Sequence, residues 1–354
     1  MLSDPKVRLA FWIGAISILL TIVLLVEIIR IRMDFHAQKL RRNRFLLEWQ
    51  PVLLTAVTGE EATLPTLHAK DMRDFLMLWL RMQKTLRGSA RIHLNKLFQR
   101  VSVNQVSLKQ RLINMLKSKK TDERLIALSV LGLLGDIEAS DDIIHTLNDP
   151  EPAISVSAAH ALLRIDEGLA ILHVIPMIVL RRDWPIDPIG LMLKEASPKF
   201  VEAFLVTIEQ AEADGRPYLL RLMRILEVLQ LKRPIMFLRH ILKSSTNPEL
   251  VTSALKLVQS TGDLDLVRAR INDVSWSVQV QVAAVLGRLG VREDVPRLVA
   301  MMNAKDWWVR YRAAKSLVQL PFLSHAEVES IKQDISDAYG RDILSHVLAE
   351  QEKL

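Results

Sequence analysis

Three hydrophobic rhythms follow one another along the chain. From Leu9 to Val26 eighteen residues pass without a charge, and Ile28 and Ile29 extend the run beyond Glu27. A helix over 9–29 would be about 31 Å long at 1.5 Å per residue, close to the thickness of a bilayer's hydrocarbon core. Residues 30–50 are polar and basic. From about residue 71 onward apolar residues recur at i, i+3, i+4 and i+7, the spacing of amphipathic helices.

Within that third stretch one phrase returns every 28–32 residues. It is clearest at 309–317, where Val309, Ala313, Ala314 and Leu317 mark one helical face. Copies stand at 278–286 (Val278, Val282, Ala283, Leu286), 250–255 (Leu250, Ala254, Leu255) and 218–226 (Tyr218, Leu222, Met223, Leu226). Two more stand at 154–162 (Ile154, Ala158, Ala159, Leu162) and 124–132 (Ala127, Leu128, Leu131). The distance from 154 to 218 is two periods, so a degenerate copy is expected near Ile186–Lys194. A second amphipathic stretch precedes each phrase, for example 142–147, 235–242, 264–271 and 295–302. Asp183, Asn247, Ser275 and Asp306 stand between the two, where a capping side chain starts the second helix.

The phrase Val309, Arg310, Ala313, Ala314, Leu317, with Leu286, Gly287, Leu289 and Gly290 in the copy before it, resembles the second helix of a HEAT repeat. The resemblance covers about 106–321 as seven helix pairs. Residues 71–101 offer an eighth, with Phe75, Leu76, Leu78, Trp79, Met82 and Leu86 as apolar positions. It implies an all-α fold: a right-handed, armadillo-like α-solenoid of seven or eight helix pairs behind one transmembrane helix, its second helices lining a concave partner surface. The organisation expected is a tail at 1–8, the membrane helix at 9–29, a basic juxtamembrane segment at 30–50, an N-terminal helical cap or first pair at 51–105, repeats at 106–321 and a C-terminal helical cap at 322–354. The second place of the phrase holds Arg310 in one copy but Gln279, Val251, Leu219 and Ser155 in others, which speaks against a continuous Arg–Asp ladder.

Composition changes this picture little. The chain has few glycines (12) and no cysteine, which excludes disulfides, thiolate metal sites and cysteine nucleophiles. The net charge of +7 is concentrated at the start: residues 1–50 hold eight basic and four acidic side chains, leaving +3 for the other 304 residues. A broad nucleic-acid face is therefore not indicated. Two basic residues precede the apolar run and six follow between Arg30 and Arg44, so its C-terminal side is expected to stay in the cytoplasm. The run ends without a small-x-small cleavage site, which favours an anchor over a removable leader. The expectation is a single-pass protein of a bacterial inner membrane with its repeats in the cytoplasm.

Candidate chemistry is sparse. Trp184, Trp276 and Trp307 share one register, two places before the phrase begins. They form either an aromatic row that grips a partner or a row of turn-packing side chains. Trp307, Trp308, Arg310, Tyr311 and Arg312 make the densest cluster of binding-prone side chains, with an Arg310–Asp306 pair as the structural alternative. Arg30, Arg32, Lys39, Arg41, Arg42 and Arg44 are candidates for lipid headgroups, or serve topology alone. The nine histidines show no metal spacing, and no catalytic motif or cofactor signature is present.

The function expected is a scaffold or adaptor, without enzymatic activity, that holds a protein partner on the cytoplasmic side. The phrase from Asp306 to Ala314 is similar to phrases in bacterial HEAT proteins associated with membrane glycosyltransferases and polysaccharide export. The alternatives are a HEAT-like enzyme resembling phycobilin lyase subunits or alkylpurine DNA glycosylases, and a solenoid that binds nucleic acid or lipid through Arg30–Arg44.

Overall fold

The computed structural model describes residues 5–231 and 235–351; the side chains of residues 5–11, 13–18, 34 and 351 lie outside the description. Two compact units divide the chain: Met1–Asn148 with Arg164–Asp166, and Asp149–Leu163 with Glu167–Leu354.

The first unit contains α1 (Pro5–Thr58), α2 (Met72–Thr85), α3 (Ser89–Arg100), a hairpin of β1 (Ser102–Val103) and β2 (Val106–Ser107), then α4 (Leu108–Leu116), α5 (Thr121–Leu134) and α6 (Ser140–Thr146). Helix α1 runs without a break through the junctures expected near 29 and 50. Its two ends differ in pattern. Phe45, Trp49, Leu53 and Ala56 form a stripe at helical spacing and are buried. Trp49 meets Phe75 of α2 edge-on at 4.9 Å, and Trp79 meets Phe98 of α3 at the same distance. Toward the other end Leu19, Leu20, Leu24, Val26, Ile28 and Ile31 are all exposed, on every side of the helix. Among the described residues no helix is long and apolar enough to cross a membrane. Of the span expected at 9–29, the side chains of 9–11 and 13–18 lie outside the described residues. The hairpin was not expected in an all-α chain. Asn104 and Gln105 both take positive φ (50° and 62°), the conformation a two-residue turn between strands requires.

The second unit contains α7 (Pro152–Ile165), α8 (Glu167–Leu180), α9 (Ile186–Glu195), α10 (Pro198–Ala213), α11 (Leu219–Leu229), α12 (Phe237–Ser244) and α13 (Pro248–Leu257). It continues with α14 (Leu264–Arg268), α15 (Trp276–Leu289), α16 (Val295–Met301), α17 (Trp307–Val318), α18 (His325–Asp334) and α19 (Ala338–Gln351). Helices α9, α11, α13, α15, α17 and α19 pack in succession as one layer; first helices such as α10, α12 and α16 lie against it. Each expected phrase is a helix, and the degenerate copy near 186–194 is α9. The phrase positions form the core: Val278, Val282, Ala283 and Leu286 of α15, and Val309, Ala313, Ala314 and Leu317 of α17, are fully buried. Each large member contributes roughly 1.5–3 kcal/mol of transfer free energy. Small residues set the helix spacing. A Cβ on Gly287 would fall 2.5 Å from Ser316 Cβ, and one on Gly190 2.3 Å from Val228.

Helix starts follow the expected capping only in part. Asn247 Oδ1 accepts from the backbone of Glu249 and Leu250, and Asp306 Oδ1 accepts from Trp308 N at 2.8 Å. Ser275 occupies the N-cap of α15 without a capping bond from its side chain. Asp183 instead pairs with Arg181 at 2.6 Å, which holds its carboxyl below the usual carboxylate range.

Candidate functional site

The three register-matched tryptophans separate by burial. Trp184 is 1% exposed, and its Nε1 donates to Ser155 Oγ of α7 at 2.7 Å. Its carbonyl accepts from Arg221 Nη2 at 3.0 Å; the same guanidinium also bonds the carbonyls of Ile178 and Arg181, tying α11 to the end of α8. Trp184 is therefore core, so of the two readings of the row a partner-gripping role does not extend to its first member. A buried acceptor within reach of the indole N–H takes this ring inward.

Trp276 and Trp307 remain accessible, at 50% and 44%, and Trp308 at 56%. Trp276 lines a cleft of about 350 Å³ with Val274, Met301, Lys305, Asp306 and Val309, at the turns that start α15 and α17. Trp307 stacks on Tyr311 at 5.1 Å and meets Trp308 edge-on at 4.8 Å. Tyr311 donates to Glu350 Oε2 of α19 at 2.9 Å, and that carboxylate raises its phenol above the ordinary value. The stack fixes Trp307 in place while leaving nearly half of it open, so a partner meets it without first ordering the ring.

The arginines of this cluster have different duties. Arg310 Nη1 donates to the carbonyls of Ala304 and Lys305 at 2.9 and 3.1 Å, and its guanidinium carbon sits 5.6 Å from the Tyr339 ring centroid. It closes the turn before α17 instead of pairing with Asp306. Arg312 lines a second cleft with Arg288. Of the basic residues on α1, Arg32, Lys39, Arg42 and Arg44 are exposed. Arg30 pairs with Glu27 at 3.1 Å and Arg41 with Asp71 at 3.3 Å, which neutralises part of the cluster.

Sequence reasoning missed the charge pairs that join first helices. Arg239 Nε donates to Asp263 at 2.6 Å, and Arg268 grips Asp294 with two bonds at 2.7 and 2.8 Å. Asp294 is fully buried and also accepts from Val291 N at 3.1 Å and Arg297 at 3.3 Å. Burial alone would raise its pKa; the bonds to Arg268 and Val291 prevail and hold it below the ordinary value. The Arg–Asp ladder thus exists, but on the first helices and not at the second place of the phrase. The 31-residue recurrence of Gly/Glu-Asp at 262–263 and 293–294 was the available signal. In the first unit, a cavity of about 400 Å³ beside α4 holds Lys109, which is already neutralised by Asp136 and Glu138 at 3.0 and 2.5 Å. Among the described residues no group of three or more His, Cys, Asp or Glu side chains is placed to hold a metal ion.

The HEAT repeats family matches residues 264–333, the stretch that holds Trp276, Trp307 and Trp308. No curated protein matches. Among solved structures, Kap121p is 14% identical with a TM-score of 0.39, covering 86% of this chain, which spans only 43% of Kap121p. An engineered protein is 12% identical with a TM-score of 0.22, covering 69% of this chain and 96% of that one. At these TM-scores neither likeness constrains the fold or the function. Over residues 264–333 the chain is similar to HEAT repeats.

Proposed function

We propose that the chain is a scaffold without enzymatic activity, whose repeats hold a protein partner at the membrane. The observation that carries this reading is the exposure of Trp276, Trp307 and Trp308 on neighbouring turns of matched HEAT repeats. Large, pre-positioned aromatic side chains bind with little loss of conformational entropy and dominate protein interfaces. The membrane anchor belongs to the same proposal. It is supported by the charge-free run from Leu9 to Val26 and by apolar side chains exposed around α1 from Leu19 to Ile31, a surface that calls for lipid or another apolar cover. The six basic residues of 30–44 support a reading in which the repeats lie in the cytoplasm of a bacterial cell, where these residues would also meet anionic headgroups. The likeness of the Asp306–Ala314 phrase to envelope-synthesis HEAT proteins makes a membrane glycosyltransferase or polysaccharide exporter the expected partner.

The test is crosslinking of the full chain in native membranes, beside a Trp276→Ala/Trp307→Ala/Trp308→Ala variant. A specific envelope-synthesis protein, recovered with the parent and lost with the folded variant, is the expected result. Equal recovery by both, or nucleic acid alone removed by salt, would overturn the reading. Alkaline carbonate extraction tests the anchor separately: a chain released into the supernatant does not span the bilayer.

A further inference from the structure

The layer of second helices carries a cleft of about 560 Å³ whose lining includes Lys256 of α13, Gln281 and Arg288 of α15, and Arg312, Ser316 and Gln319 near α17. It exists because α15 and α17 approach closely: at Gly287 any Cβ would strike Ser316, including its backbone Cα at 2.8 Å. That approach brings the guanidinium groups of Arg288 and Arg312 into one cleft.

Many of the other arginines in this unit meet carboxylates, although Arg221 and Arg310 bond backbone carbonyls instead. Arg239, Arg268, Arg270, Arg292 and Arg297 each have an acidic partner within 3.3 Å. Lys256 in the cleft is neutralised too, by Glu227 at 2.9 Å. Arg288 and Arg312 share one cleft, and among the described residues neither has an ion-pair partner. Arg288 Nη2 donates to the carbonyl of Val258 at 2.6 Å, a neutral acceptor. Arg312 Nε is buried without any acceptor. Partial desolvation in the cleft, and after it the charge of Arg312, lower the proton affinity of Arg288 although much of its side chain stays accessible. Two like charges facing one cleft without a counter-charge cost free energy that an arriving anion recovers. A buried donor without an acceptor adds to that cost.

We propose that this cleft is an anion site in which Arg288 and Arg312 bind the carboxylates of an acidic segment of the protein partner. The assignment rests on the scaffold reading above and names the partner's chemistry. Planar guanidinium groups match carboxylates with paired, charge-assisted hydrogen bonds. Gln281, Ser316 and Gln319 supply neutral donors around them. A nucleic-acid backbone fits less well. Only two uncompensated cations are present, and Glu227 lies beside Lys256 on the same layer, where a phosphate track would need more basic residues.

The experiment is fluorescence anisotropy of the full chain in detergent with a labelled hexaglutamate peptide. Parent protein, Arg312→Gln, Arg288→Gln/Arg312→Gln and the exposed control Lys243→Gln are compared, and a hexathymidylate serves as competitor. The parent should bind hexaglutamate. Arg312→Gln should weaken it about fivefold, the double variant at least twentyfold, and Lys243→Gln less than twofold. Melting is the second readout. Relief of the like-charge contact should leave the double variant's Tm unchanged or higher, whereas arginines with a merely structural role would lower it. Equal peptide affinity in parent and double variant overturns the assignment. So does a hexathymidylate that binds the same two arginines more tightly than the peptide. If the double variant still captures the crosslinked partner in membranes, the assignment falls and the scaffold reading stands. If it loses hexaglutamate while no variant of any kind captures a protein, the scaffold reading falls and the anion site remains.

Discussion

Trp184 and Trp276 occupy the same place in their repeats, yet one is 1% exposed and the other 50%. The difference lies in the neighbouring helices. At the start of α9, Ser155 of α7 offers an acceptor 2.7 Å from the indole nitrogen, and Arg221 holds the same turn from the other side. At the start of α15 the preceding turn residue, Val274, is itself fully exposed, and the indole borders an open cleft. Register fixes where a side chain leaves the backbone; the neighbouring repeat decides whether it becomes core or surface.

The comparison breaks most visibly under truncation. Trp184→Ala leaves a large cavity and removes the hydrogen bond to Ser155 Oγ, so a loss of about 3–5 kcal/mol is expected in denaturant melts. Trp276→Ala should cost no more than about 0.5 kcal/mol, in keeping with its exposure, while removing partner capture. Similar stability losses in the two variants would mean that the exposed indole packs against something in the folded protein.

A second contrast concerns charge. Asp294 is buried and answered by Arg268, Arg297 and the Val291 N–H, whereas among the described residues Arg288 and Arg312 have no carboxylate partner. Breaking a buried, satisfied pair leaves the remaining charge stranded, so Asp294→Asn should cost about 3 kcal/mol at neutral pH. The sign with pH follows from the lowered pKa of Asp294. Its contribution is complete above the unfolded carboxyl value of about 3.9 and fades as pH falls through the folded value. The gap between Asp294→Asn and the parent should therefore narrow in acid, as read from Tm at pH 7 and pH 3. An undiminished gap would assign the loss to packing alone.

Much of this could be read from the sequence, and the boundary of what could is physical. The recurrence of Val278/Val309 and Ala283/Ala314 locates helices and their buried faces, because burial in a helix pair repeats with the helix itself. It even locates α9, whose own phrase is degenerate, by counting periods on either side of it. Pairing across repeats is less legible. Nothing in the phrase distinguishes Arg310, which closes a turn, from Arg312, two places later, which faces a cleft. The β1–β2 hairpin was hidden because two residues per strand leave no alternation to detect. The burial of Trp184 could not be read from the sequence because its acceptor, Ser155, lies 29 positions away.

Closer to the surface, effects shrink and tests must be more selective. Ser324 and Glu327 form a reciprocal cap at the start of α18: Ser324 Oγ accepts from Glu327 N at 3.3 Å, and Glu327 Oε2 accepts from Ser324 N at 2.8 Å. Ser324→Ala should cost about 1 kcal/mol, the usual worth of an N-cap, with fraying confined to α18 in hydrogen exchange.

Glu327 sharpens the contrast between compensated groups that are buried and those that are exposed. Its carboxyl is pushed down to about 2, first by the Ser324 backbone N–H, then by the Ser324 hydroxyl and Arg292. Because the folded value lies below the unfolded one of about 4.3, its stabilising effect is complete above pH 4.3 and disappears as pH falls toward 2. Solvent screens this site, so the whole-protein Tm should respond less to Glu327→Gln than to Asp294→Asn at pH 7. Local exchange at α18 should nevertheless rise in Glu327→Gln at pH 7 and match the parent near pH 2. A variant whose α18 exchanges like the parent at both pH values would show that the backbone cap alone, without the charge, holds the start of that helix.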